Sequence, residues 1–298
     1  MPSAKKTKIV ATLGPATSTK SVLRDMILAG VNVFRINFSH ADYSDVSARI
    51  KMIRELNDEL GVYTSILADL QGPKLRVGVM EEGIVVAPGD QVTFATGAPF
   101  VGTATRAYMT YDSFPQDVKV GEKVLLDDGK LLFEVVSTNG KDEVVTKVVQ
   151  GGPLKSKKGV NLPNTKISLP ALTEKDVEDA IFAIGEKVDW IALSFVRFSQ
   201  DLKDLQELIA QHTDLKIPIV SKIEKPEAIE NIDEIIEYTD ALMVARGDLG
   251  VEIPAEEVPL IQKQLVLKAK HARKPIIIAT QMMETMIDSL TPTRAEVN

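Results

Sequence analysis

Ile217-Pro218-Ile219-Val220-Ser221-Lys222-Ile223-Glu224 is an apolar run that ends in charge, and Ala241-Leu242-Met243-Val244-Ala245-Arg246-Gly247-Asp248 is another. Between them, Pro226 to Tyr238 reads as a helix. Residues two apart on a strand face the same way, so Lys222 and Glu224 project together from the end of the first run. Asp248 is read as ending the second. One cation and two carboxylates at neighbouring strand ends can hold a divalent metal beside an anionic substrate. On spacing alone, Lys222 and Glu224 fit a solvated ion pair equally well, and Asp248 fits a helix or turn cap.

The same rhythm extends in both directions. Lys8 to Thr12, Val31 to Phe38, and Tyr63 to Leu70 read as strands, with helices from Ser18 or Thr19 to about Ala29 and from Tyr43 to Leu60. Gly30 and Gly61 stop those helices. Later, Thr173 caps a helix to about Gly185, Val188 to Phe195 is a strand, and Ser199 to His212 is a helix. A helix from Pro254 to Arg273 and a strand from Pro275 to Thr280 follow. Seven βα repeats with reactive residues after the strands predict a (β/α)8 TIM-type barrel, read here without its eighth strand, with its site at the C-terminal face.

The rhythm breaks between Lys74 and Pro163, where β-branched runs alternate with Gly and Asn turns. Asp127-Asp128-Gly129 and Asn139-Gly140 are hairpin signals. This predicts a small β-barrel lid domain, residues 74–163, inserted in a discontinuous barrel of residues 1–73 and 164–298.

Composition narrows the function. The 298 residues are 44% hydrophobic and 26% charged, with net charge −7. That balance argues against generic nucleic-acid binding. No apolar run is long enough for a membrane span, no signal-peptide pattern follows Met1, and there is no cysteine, so the expected location is the cytoplasm. No Walker-type loop is present, so any nucleotide site is of another kind. His212 and His271 near helix ends suit surface roles, and Trp190 suits packing.

With Arg35-Ile36-Asn37-Phe38-Ser39-His40, Asp69-Leu70-Gln71-Gly72-Pro73-Lys74-Leu75-Arg76, Ser156 to Pro163, Ala279-Thr280-Gln281-Met282 and Thr291 to Glu296, the two opening runs resemble the pyruvate kinase family in order and spacing. The resemblance implies phosphoryl transfer from phosphoenolpyruvate to ADP, giving pyruvate and ATP in glycolysis. It implies Glu224 and Asp248 as ligands of magnesium or manganese, and Lys222 as the positive charge on the transferring group. Arg35, read as following strand two, would clamp phosphate. Ala245, Arg246, Gly247 and Asp248 would meet the substrate, the backbone at Gly247 approaching its carboxylate. Thr280 would position a water or relay near the carbon that gains a proton. His40, Arg76 and Lys158 would hold nucleotide phosphates, although Lys155, Lys157 and Lys158 also suit a solvated loop.

The family's potassium site maps to Asn37, Ser39, Asp69 and Leu70. Leu70 has no side-chain oxygen, and Lys74 stands where many relatives carry Glu. The resemblance is therefore to the potassium-independent branch, with the Lys74 ammonium replacing the ion. It also implies an eighth strand, a C-terminal regulatory domain and a homo-tetramer. The chain is expected to be a truncated form with open edges at strands one and seven, prone to self-association and nearly without turnover. Two other readings remain: a metal-dependent aldolase or lyase acting on a pyruvate enolate, and a non-catalytic ligand-binding fragment.

Overall fold

Residues 5–297, apart from the His40 side chain, are described by a computed structural model. Seven strands form one parallel sheet in chain order: Val10–Thr12, Val33–Asn37, Ser65–Asp69, Trp190–Leu193, Ile219–Ile223, Ala241–Ala245 and Ile276–Ala279. Each strand pairs in parallel with the next in chain order, an arrangement that requires a long crossover connection between them.

The helices begin and end where local chemistry directs. Thr19 caps Lys20–Ala29, and Gly30 closes it at φ 107°. Asp42 caps Tyr43–Leu60, and Gly61 closes it at φ 63°. Thr173 and Asp176 form a reciprocal capping box on Glu174–Gly185.

Alternation along the strands sends side chains to two cores. One face packs Phe34, Ile66, Ile191, Ile219, Leu242 and Val244 against the helices. The other gathers Leu67, Ala192, Val220, Ala241 and Met243 into a separate cluster on the sheet's inner side. Burial on both faces explains why the central strands read as continuous apolar runs. Burial fades toward the edges. All five residues of strand six are buried, but none of the four in strand seven or the three in strand one. Among the described residues, strands one and seven do not pair with each other, and the sheet is an incomplete TIM-type barrel.

Residues 74–163 contain a six-stranded and a two-stranded sheet with a core of their own, including Phe94, Phe114, Phe133 and Tyr111. The hairpin Lys123–Leu126 to Leu131–Thr138 turns through Asp127, Asp128 and Gly129, all with positive φ. The segment is not purely β, because Phe114–Asp117 forms a helical turn started by Pro115.

Two sequence expectations need correction. The helix read as Pro226 to Tyr238 is two, Pro226–Glu230 and Ile232–Tyr238. Asn231 divides them, its side chain donating to the carbonyls of Glu227 and Arg197. Asp248 does not end a strand; it is the third residue of a helix, Arg246–Glu252. Farther on, a short 3-10 turn, Ala255–Glu257, precedes helix Val258–His271.

Candidate active site

Lys222 lies one residue before the end of strand five, and Glu224 follows that strand on the same side. The period-two reading holds: Lys222 Nζ sits 2.9 Å from Glu224 Oε1. It also lies 3.3 Å from Asp69 Oδ1 and donates to Ser194 Oγ at 2.7 Å. The Ser194 hydroxyl in turn donates a hydrogen bond to the Leu70 carbonyl at 2.7 Å. The other Glu224 oxygen accepts the Phe195 N–H at 2.8 Å. Lys222, Glu224 and Asp69 are all buried.

Arg35 lies within strand two rather than after it. Its guanidinium pairs with Asp69 and donates to Thr12 Oγ1 at 3.0 Å. Asp69 thus stands between two cations. Its Oδ1 has the Lys222 charge nearby but no hydrogen bond of good geometry.

Burial alone would push the Lys222 ammonium pKa down, but the Glu224 and Asp69 carboxylates outweigh it and the net direction is up. Lys222 is therefore a fixed cation. Burial pushes the Glu224 carboxyl up, Lys222 opposes this, and the charge of Asp248 adds to the rise. That repulsion between Glu224 and Asp248 is what a dication between them would cancel, so the pair fits a divalent metal. Among the described residues no three His, Cys, Asp or Glu side chains gather into a metal-holding group. A metal here would take its remaining ligands from substrate and water.

The opposite side of the site is open. Ala245 is buried at the end of strand six, while Asp248 and Thr280 are exposed. Arg246 donates to the carbonyls of Ala279, at 3.2 Å, and Thr280, at 2.6 Å. It thereby ties the helix start to the end of strand seven. A Cβ at Gly247 would lie 2.8 Å from Thr280 Cγ2, so glycine permits this approach. Thr280 itself holds φ at 75°, a strained value for a β-branched residue.

Asp248 lines a cleft with Lys74, Phe195, Lys225 and Glu252. Lys74 is exposed and makes no ion pair among the described residues. Asn37 uses its side chain to accept the Ser39 N–H. Leu70 is buried. Arg76 Nη1 donates to the Lys157 carbonyl at 2.9 Å, and its backbone bridges Gly159. Lys158 pairs with Asp127 at 2.9 Å. Arg76 and Lys158 are thus held near one another on the insert, with no bond to the Lys222 cluster among the described residues. His40 closes a 3-10 turn, and its side chain lies outside the described residues.

Ser194 was missed by the sequence reading, although it follows strand four directly and the strand-end rule applied there too. Lys225, Glu252 and Asn161 were also missed. Asn161 lies within the matching stretch Ser156 to Pro163, but nothing in that stretch points to Glu252, and the three meet only through the fold.

Comparison with known proteins gives a consistent match. The family description "Pyruvate kinase, barrel domain" covers residues 4–298. The chain is 48% identical to a pyruvate kinase of Bacillus licheniformis over 99% of its own length and 50% of that protein's. It is 47% identical to that of Geobacillus stearothermophilus, with 99% and 50% covered. With the pyruvate kinase of Mycobacterium tuberculosis H37Rv it shares 45% identity, over 98% and 61%. The chain spans about half the length of the first two relatives. The matched residues include Glu224, Asp248 and the whole insert, residues 74–163, and the chain belongs to the pyruvate kinase family.

Proposed function

We propose that the chain provides the catalytic barrel and lid for phosphoryl transfer from phosphoenolpyruvate to ADP, releasing pyruvate and ATP. The observation that carries this is the buried Lys222 ammonium, held by Glu224, Asp69 and Ser194. Transfer of a phosphoryl group needs alignment and charge neutralisation more than a protein nucleophile. Lys222 supplies a fixed charge for the transferring group, and Asp69 holds Lys222 and Arg35 in place so that both can face phosphate oxygens. Glu224 and Asp248 would hold magnesium or manganese, which when bound neutralises substrate oxygens. The Thr280 hydroxyl positions a water for protonation of the enol carbon, and the backbone at Gly247 meets the substrate carboxylate. Arg76 and Lys158 on the lid, residues 74–163, hold the nucleotide phosphates together with His40 of the barrel. Such an enzyme works in glycolysis, in the cytoplasm.

An assay for ADP-dependent pyruvate release, run on this chain and on a form extended to the relatives' length, tests the reading. Turnover in the extended form is expected. Release without ADP would point instead to lyase chemistry. Potassium is expected to be dispensable, because Leu70 lacks an oxygen and Lys74 brings a charge to the cleft. Activity in sodium or tetramethylammonium buffer should approach that in potassium, and Lys74→Glu should create potassium dependence. An extended form silent without potassium would refute this part.

A further inference from the structure

Asn161 lies on the strand by which the insert returns to the barrel. Its Nδ2 donates to Glu252 Oε1 at 2.8 Å. The same oxygen receives Lys225 Nζ at 2.8 Å. Lys225 and Glu252 are buried, and Glu252 Oε2 has no hydrogen-bond partner among the described residues. Glu252 is the last residue of helix Arg246–Glu252, one turn after Asp248 and on the same face. Lys225 directly follows Glu224. One carboxylate oxygen therefore joins the insert to both elements that carry the candidate metal ligands.

A second contact falls on the same helix. The insert's Asp127-to-Lys130 turn reaches it, since a Cβ at Gly129 would sit 3.9 Å from Val251 Cγ1. Asp128 lines the cleft beside Asp248 and Glu252. Lys158, three residues before Asn161, pairs with Asp127 of that turn. The angle of the insert over the barrel thus sets where Lys158 and Arg76 stand relative to Glu224 and Asp248.

We infer that Glu252 is a positioning residue. Its bonds to Asn161 and Lys225 fix the insert's orientation and so place Lys158 and Arg76 for the nucleotide. The nucleotide consequence rests on the kinase reading above; the orientation does not. A partly buried charge-assisted hydrogen bond is strong enough to hold such an angle, and its loss leaves the buried Glu252 carboxylate with Lys225 alone.

The chain has no cysteine, so Ser137→Cys on the insert and Gln211→Cys on the barrel give a clean pair of spin-label sites. Asn161→Asp sets a carboxylate against Glu252 and should broaden or shift the distance distribution. Asn161→Asp with Glu252→Gln restores a donor and acceptor and keeps one carboxylate for Lys225, so the distribution should narrow again. An unchanged distribution in Asn161→Asp, or no recovery in the double variant, overturns the inference. In the extended form, Asn161→Asp should raise KM for ADP about tenfold while the KM for phosphoenolpyruvate changes by less than about twofold, with recovery in the double variant. Equal changes in both constants would overturn the nucleotide consequence. An inactive parent would sink the kinase reading alone, since the distance measurement still decides the latch.

Discussion

Lys222 and Glu224 are buried and paired with each other, whereas Asp248 and Thr280, the other members of the candidate site, stand exposed near the last strand of the sheet. Different physics fixes each half. In the interior, geometry comes from charge: Lys222 is stable there only because two carboxylates and a hydroxyl face it. At the edge, geometry comes from backbone: a strained Thr280, a glycine that lets it approach, and Arg246 bound to two carbonyls. A partly open sheet can therefore preserve the charged half intact while the other half depends on a strand with one neighbour.

The largest effects should separate these halves. Lys222→Met leaves Asp69 and Glu224 buried near one another without their shared cation, and should cost about 3–5 kcal/mol in urea unfolding. In the extended form it should also lower turnover at least ~100-fold, a loss of at least about 2.7 kcal/mol of transition-state stabilisation. Asp248→Ala should cost a similar ~100-fold in turnover through the metal, yet move stability by less than about 0.5 kcal/mol, because the side chain is exposed. Equal destabilisation by the two variants would break the comparison.

A smaller effect tests the backbone half. Gly247→Ala places a methyl against Thr280 Cγ2 and should cost about 1–2 kcal/mol by overpacking. Thr280→Ser removes that methyl and keeps the hydroxyl, so the double variant should recover most of the loss. A double-mutant cycle that shows simple additivity would mean the two residues do not press on each other.

The charged half was legible in sequence because it obeys a local rule. Lys222 and Glu224 share a strand face, and the helix caps at Thr19, Gly30, Gly61 and Thr173 announce themselves by residue type. The helix at Arg246–Glu252 was not legible, because two glycines in seven residues oppose it. Burial of Leu249 and the Glu252 ion pair favour it instead. The break at Asn231 comes from a side chain that reaches Arg197, 34 residues away. Asn161 and Glu252 are 91 residues apart, and no spacing rule connects a residue on the insert to the end of a barrel helix. What sequence periodicity cannot supply is the pairing of distant polar groups, and such a pairing joins the insert to the barrel.

The smallest effect contrasts two glutamates. Burial pushes Glu224 up, so that carboxyl weighs against folding as pH rises above the ordinary 4.5. Glu296, at the surface, is pulled down to about 2 by hydrogen bonds, chiefly from the Thr285 hydroxyl, then from the Thr285 and Thr293 N–H groups. It forms a capping box with Thr293, whose hydroxyl accepts the Glu296 N–H. Because its folded value is depressed, its contribution is complete above pH 4.5 and is lost as pH falls from there through about 2. Amide exchange at Thr285 and Thr293, corrected for intrinsic rates, should accelerate over that window, while the strand-five amides change little. Glu296→Gln should abolish the acid step at the two threonines. An NMR titration of the Glu296 carboxyl at an ordinary value would show that the two threonines do not hold it in solution, and that order at this edge has another source.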